Sequence, residues 1–128
     1  MGDYTPVFAA GVKPTTMTTA GAVVGGNVLA HSATGTVVVA GADSTVVAGV
    51  AAHDAPSGGK VAVWPIEGCT HELVASGAIT ALAGVVTDAS GQVKTAVIAT
   101  AAAAGTLIGT AATTAAGSPL KLRVLGRR

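Results

Sequence analysis

The chain has 128 residues, a formal net charge of +1, 10% charged and 2% aromatic residues, and one cysteine. The length suits one domain, the low charge and high apolar content exclude a disordered chain, and a lone Cys69 excludes an intrachain disulfide framework or a cysteine-cluster zinc site. Most of the apolar residues are Ala and Val, which bring little area at about 25 cal/mol per Å², so the private core is expected to be thin, with further apolar surface buried against copies of the chain or a partner.

The chain begins "MGDYTPVFAAGVKP", with two prolines and no alternation. Residues 1–14 therefore read as an extended arm, a conformation that Pro favours. No basic stretch precedes an apolar run, so no signal peptide is expected. Pro6 stands where a myristoylation signal wants Ser or Thr.

An internal repeat follows. "MTTAGAVVGGNVL" (17–29) resembles "LVASGAITALAGVVT" (73–87): Gly21 aligns with Gly77, Val23 with Ile79, and Gly26 with Gly84 after a two-residue shift. "HSATGTVVV" (31–39) then matches "DASGQVKTAV" (88–97), and "AGVAAHDAPSGGKVAV" (48–63) matches "IGTAATTAAGSPLKLRV" (108–124). Repeat one runs over about 15–66 and repeat two over about 71–125, inside a single β domain of residues 15–128. Two copies are too few for a solenoid, which needs about three, so one domain with pseudo-two-fold internal symmetry is expected.

Within each repeat the apolar period is two. Val61, Val63 and Pro65 alternate with Ala62 and Trp64, and Leu120, Leu122 and Val124 alternate with Lys121 and Arg123. Such alternation, rich in Val and Thr and punctuated by Gly, predicts half-buried strands. The fold class is all-β: a small barrel or sandwich of two repeated β units, β-tulip-like, with an extended N-terminal arm. Only "ATAAAAG" (99–105) has high helix propensity. It reads equally as an Ala-rich loop, and no helix is predicted there. Thr95 to Leu120 carries no charge and includes the GxxxG-like "GTLIG". Ala, Thr and Gly gain little in lipid and no aromatic belt flanks the stretch, so no membrane span is expected.

Several stretches carry chemistry-bearing residues. "VAAHDAPSGGKVAV" (50–63) has a His-Asp pair and Gly-Gly-Lys. A P-loop would need Gly at position 54 and a hydroxyl after Lys60; these positions hold Asp54 and Val61. Adjacent residues on an extended chain point to opposite sides, and repeat two has "ATTAAGSP" in the same place. The stretch is read as a hairpin connection. "EGCTH" spaces Glu67, Cys69 and His71 on one face of a strand, but Gly68 weakens a strand there and zinc sites draw ligands from separate elements. It is read as a polar segment linking the repeats. No Ser stands in G-x-S-x-G. Lys121, Arg123, Arg127 and Arg128 cluster without interleaved aromatics, which argues against nucleic acid and for a solvated end or a protein contact. No catalytic residue, cofactor site or metal site is expected.

The runs "VVAGVAAHDAPSGGKVAVW", "HELVASGAITALAGVV" and "GTLIGTAATTAAGSPLKLRVL" resemble the small capsid decoration (head-fibre-like) proteins of tailed bacteriophages, over roughly residues 4–126. The family pattern falls at Val47 to Ala51, Val61 to Val63, His71 to Ile79 and Gly109 to Leu125, and "DYTPVFAAG" resembles its extended N-terminus. The family's usual Gly-Asp before the strand at Val85 is replaced by "LAG". The resemblance implies a virion protein made in the bacterial cytoplasm. It would sit on the outer capsid surface, bind the major capsid protein, bridge its subunits and stabilise the expanded shell. It further implies a homo-oligomer, a trimer being favoured, with no nucleic-acid or membrane partner. The capsid contact is expected on Tyr4, Thr5, Pro6, Val7 and Phe8, whose large side chains need burial, with a further contact at Arg127 and Arg128. The competing reading is a β-domain for host-surface or carbohydrate binding displayed on the virion; Trp64 as the only Trp weighs against it.

Overall fold

A computed structural model describes residues 4–9, 11–117 and 120–126, with the Leu120 side chain left aside. The alternating segments form ten strands: β1 (Thr15–Thr19), β2 (Val28–Ala33), β3 (Thr36–Val39), β4 (Val47–Ala51), β5 (Lys60–Trp64), β6 (Thr70–Ala75), β7 (Gly84–Thr87), β8 (Val93–Ala96), β9 (Gly109–Ala111) and β10 (Leu120–Gly126). They close into two five-stranded barrels, ordered β1-β3-β2-β4-β5 and β6-β8-β7-β9-β10. Closure pairs both margins of each sheet, which disposes of the free strand edges that invite non-specific pairing.

The two barrels repeat one another strand for strand. In each, the first and third strands run parallel, with Thr19 opposite Val37 and Ala75 opposite Val93. The first and last are antiparallel, with Met17 opposite Val61 and Leu73 opposite Leu122. An isolated bridge between loops recurs as Val23 with Ala55 and Ile79 with Ala115. Residue equivalence therefore follows from register alone, and it corrects one feature of the sequence alignment. The Gly26 N–H donates to Ala51 O and the Leu82 N–H to Ala111 O, and both residues have positive φ, 90° and 75°. Gly26 corresponds to Leu82, with no shift; Gly84 corresponds to Val28. The fingerprint at this turn is a left-handed backbone, which Gly adopts freely and Leu adopts at a cost.

Inward side chains fill each barrel according to the pleat. Leu29, Val37, Ala51, Val61 and Val63 form the first interior. The outward faces of β2 and β4 are buried as well: Val28 and Val50 are 0% exposed. These two, with Ala30, Ala40 and Ile66, join Leu73, Val85, Ile108 and Leu122 of the second barrel in one cluster. The barrels thus share a core across a joint. Each fully buried Val or Leu there contributes about 1.5–3 kcal/mol. At the joint Gly91 lies so close to Asn27 and Val28 that a Cβ would fall 2.8 Å from Asn27 Cβ, and its N–H donates to Ala40 O.

One element departs from expectation. Where repeat one passes from β3 to β4 by a loop, repeat two builds a helix, α1 (Ile98–Ala104). Ala favours it. Gly105 ends it in the left-handed conformation (φ 77°), donating back to Ala101 and Ala102. Alone such a short helix would be marginal. It is held by burial of Ala101 and by Ile98 lying on Gly84, where a Cβ would meet Ile98 Cγ1 at 2.9 Å. The GxxxG-like run ends up divided, with Gly105 capping α1 and Gly109 opening β9. No helix among the described residues is long and apolar enough to cross a membrane.

Candidate functional site

The arm does not project as a free strand. Tyr4 donates its backbone N–H to Ala52 O, and its ring is half-buried, stacked on His71 with centroids 5.8 Å apart. Pro6 is buried, whereas Thr5, Val7 and Phe8 are exposed. Val7 and Phe8 both donate to Thr70 O, and Thr70 donates back to Phe8 O, so the arm adds a short antiparallel rung beside β6. Of the five residues expected to reach a partner, Tyr4 packs against the joint and Pro6 is buried. The apolar side chains offered outward are Val7 and Phe8, the latter 62% exposed. Arg127 and Arg128, the second expected contact, lie outside the described residues.

The chemistry-bearing residues of "EGCTH" are separated by the fold. Glu67 is exposed on a turn, Cys69 is buried, and His71 is 1% exposed at the start of β6. The His71 Nε2 lies 2.8 Å from Pro65 O, which can only accept, so Nε2 carries the proton. The Nδ1 then accepts from the Tyr4 hydroxyl at 2.7 Å, and that oxygen accepts the Glu72 N–H at 3.2 Å. Both ring nitrogens are used, leaving neither for a metal. Burial pushes the His71 pKa below the ordinary imidazole value, partly offset by the bond to Pro65. Burial likewise pushes the Tyr4 phenol well above its usual range. The Cys69 thiol is also pushed up by burial, away from the thiolate that would make it reactive. Among the described residues no group of three or more His, Cys, Asp or Glu is placed to hold a metal ion. His71 was legible in the sequence only as a possible ligand; its actual partner, Tyr4, lies far off along the chain.

The His53-Asp54 stretch is the connection between β4 and β5, paired antiparallel through Val50 with Trp64 and Ala51 with Val63. Its polar side chains serve the backbone. His53 Nε2 accepts the Ala62 N–H at 3.3 Å, and Asp54 Oδ1 accepts the Gly25 N–H at 2.9 Å. That second bond is the main cause holding the Asp54 carboxyl below the usual carboxylate range. In repeat two, Thr113 Oγ1 accepts the Arg123 N–H and Thr114 Oγ1 accepts the Ala81 N–H, at the equivalent places. A role that two threonines fill equally requires neither acid-base chemistry nor phosphate binding. A cleft of about 300 Å³ between α1 and Asp43 is lined by Val86, Ala96, Val97 and Thr100. Its one carboxylate is held by Lys94 Nζ at 3.0 Å.

With the closed barrels, the joint and the arm in place, the molecule can be set beside known proteins. No protein-family model and no curated protein matches the chain. Among solved structures it is similar to the head fiber gp8.5 N base of bacteriophage phi29, with a TM-score of 0.68 and 16% identity, over 89% of this chain and 92% of that one. The fold is that of a phage head-fibre base. The likeness spans both barrels, as coverage of this extent requires, and at this identity it rests on backbone architecture rather than on shared side chains.

Proposed function

We propose that the protein is a structural, non-enzymatic component of a tailed-phage virion. It decorates the outer surface of the icosahedral head as a homo-oligomer, a trimer being favoured, and stabilises the expanded shell by bridging major capsid subunits. The observation that carries this reading is the fold likeness to a phage head-fibre base over nearly the whole chain. It agrees with the sequence resemblance to head decoration proteins. The side chains that looked chemically suggestive, His53, Asp54 and His71, are occupied in holding backbone and arm.

The barrel margins pair within the chain or with the arm, so the shell contact is read as one made by side chains and not by a strand edge. It is the outward half of the arm, Val7 and Phe8, with the C-terminal Arg127 and Arg128 as a second contact. Binding to the expanded shell and not to its precursor would stabilise the expanded form by mass action. The test is co-sedimentation of purified protein with expanded and unexpanded shells lacking it. Deleting the arm would also remove the packed Tyr4 and the buried Pro6, so the discriminating variant is Val7→Glu with Phe8→Glu, which alters exposed side chains only. Saturable pelleting with expanded shells, weakened about tenfold or more by the double variant, is the expected result. Absence of pelleting with either shell form would overturn the proposal.

A further inference from the structure

Register equivalence exposes an asymmetry in what each barrel covers. On the first barrel, a transverse row of outward residues runs Ala40–Val28–Val50–Trp64, each opposite the next or bonded to it. The second barrel buries this row: Ala40, Val28 and Val50 are at most 1% exposed. The equivalent row on the second barrel runs Ala96–Gly84–Thr110–Leu125, and continues through Thr70 to Phe8 at its margin. Among the described residues no third barrel covers it. The helix α1 covers the Gly84 end through Ile98, but Leu125 is 45% exposed, and Val97 just before the helix and Ile98 at its start are 70% and 43% exposed. The row holds no charged residue; Glu72 and Arg123 stand one step beyond it, opposite each other. An apolar centre with a charged rim is the usual anatomy of a protein interface.

The other half of the joint also has an open counterpart. The first barrel's row docks on the β7–β8 turn of the second, where Gly91 packs against Asn27 and Val28. The matching turn on the first barrel is β2–β3, with Gly35 in the same left-handed conformation, φ 74° against 71°. Nothing lies within 4 Å of a Cβ at Gly35, and His31 to Gly35 are exposed throughout. The described residues thus carry one satisfied joint, an exposed copy of its turn, and a copy of its row that α1 covers only at the Gly84 end.

We infer that the Thr110–Leu125–Ile98 face of one molecule docks on the β2–β3 turn of a second copy, reproducing the intrachain joint between molecules. The contact is heterologous, so copies join head to tail and either close into a ring or run on. The inference does not rest on the shell-binding reading.

Sedimentation equilibrium of the full chain tests it. The wild type is expected to associate in a concentration-dependent way. Leu125→Arg on the row, Val97→Lys beside it, and Ala33→Glu, next to the turn, are each expected to give monomers with unchanged circular dichroism. An equimolar mixture of Leu125→Arg and Ala33→Glu retains one intact face of each kind, so it should give dimers that grow no further. A wild type that stays monomeric at every concentration would overturn the inference. So would association that survives all three substitutions, or a mixture of the two variants that stays monomeric. If Leu125→Arg remains associated but no longer pellets with shells, the row belongs to the shell and the second-copy assignment fails.

Discussion

After β4, an imidazole and a carboxylate take the N–H groups of Ala62 and Gly25; after β9, two threonine hydroxyls take those of Arg123 and Ala81. The same contrast recurs through the molecule. Gly26 and Leu82 occupy one left-handed turn position, and a loop in the first repeat is a helix in the second. What the barrels hold in common is a set of backbone demands: which N–H needs an acceptor, which residue must turn left-handed, where two chains pass too close for a side chain. Those demands define the fold, and the side chains meeting them are free to differ.

The largest effect is expected where no difference is tolerated. Gly49 and Gly109 are equivalent, and a Cβ at either would fall 2.2 or 2.1 Å from the carbonyl oxygen of Trp64 or Leu125. Both oxygens are backbone and cannot swing aside. Gly49→Ala and Gly109→Ala are each expected to cost about 3 kcal/mol or more, read as loss of the folded signal in urea titrations. A barrel that accepts one of them would break the equivalence.

Next in size is the joint, which the repeat does not duplicate. Tyr4→Phe removes the hydroxyl that serves both His71 Nδ1 and the Glu72 N–H. Leaving these unsatisfied is expected to cost about 1–3 kcal/mol in urea unfolding. The pH dependence has a definite sign. Burial lowers the pKa of His71 in the folded chain, so between the folded value and the ordinary value of about 6.5 the unfolded chain binds the extra proton. Stability should therefore fall as pH drops below about 6.5, levelling once the folded pKa is passed. His71→Asn should remove that component of the slope. A wild-type slope that persists unchanged in His71→Asn would show that other groups carry it.

These results bear on how far the sequence could be read. Strand period, the Gly21–Gly77 and Val23–Ile79 correspondences and the hairpin at His53 were all visible, because each is a local pattern. Two things were not. Matching residue types paired Gly26 with Gly84, since the left-handed turn of repeat two is made by Leu82, which carries no turn signature. The His71 site stayed hidden because its partner hydroxyl is on the arm, and spacing within "EGCTH" says nothing about Tyr4. The helix was a contest between Ala propensity and short length, decided by Ile98 packing on Gly84, a tertiary fact.

Leu82 offers a smaller test in the opposite direction. It is 80% exposed with φ 75°, so it pays backbone strain without burying its side chain. Leu82→Gly copies the first barrel and is expected to raise stability by about 0.5–1 kcal/mol, since the left-handed penalty relieved exceeds the extra chain entropy of Gly. A thermal midpoint that fell instead would mean that the exposed leucine is covered in solution.

The smallest effect decides most about function. The His53 ring accepts the Ala62 N–H and donates its Nδ1–H to the Asp54 carbonyl; if the first bond is the one that matters, as for the Thr113 hydroxyl and Arg123, then His53→Thr imports the second barrel's solution. It is expected to change stability by no more than about 0.5 kcal/mol. His53→Ala leaves the N–H without its acceptor and should cost about 1 kcal/mol. Asp54→Thr copies the neighbouring position and should likewise leave both the fold and shell pelleting intact. If the threonine exchange abolishes pelleting while leaving the unfolding midpoint in place, the His-Asp pair makes a contact of its own. The two repeats would then be equivalent in architecture and divided in function.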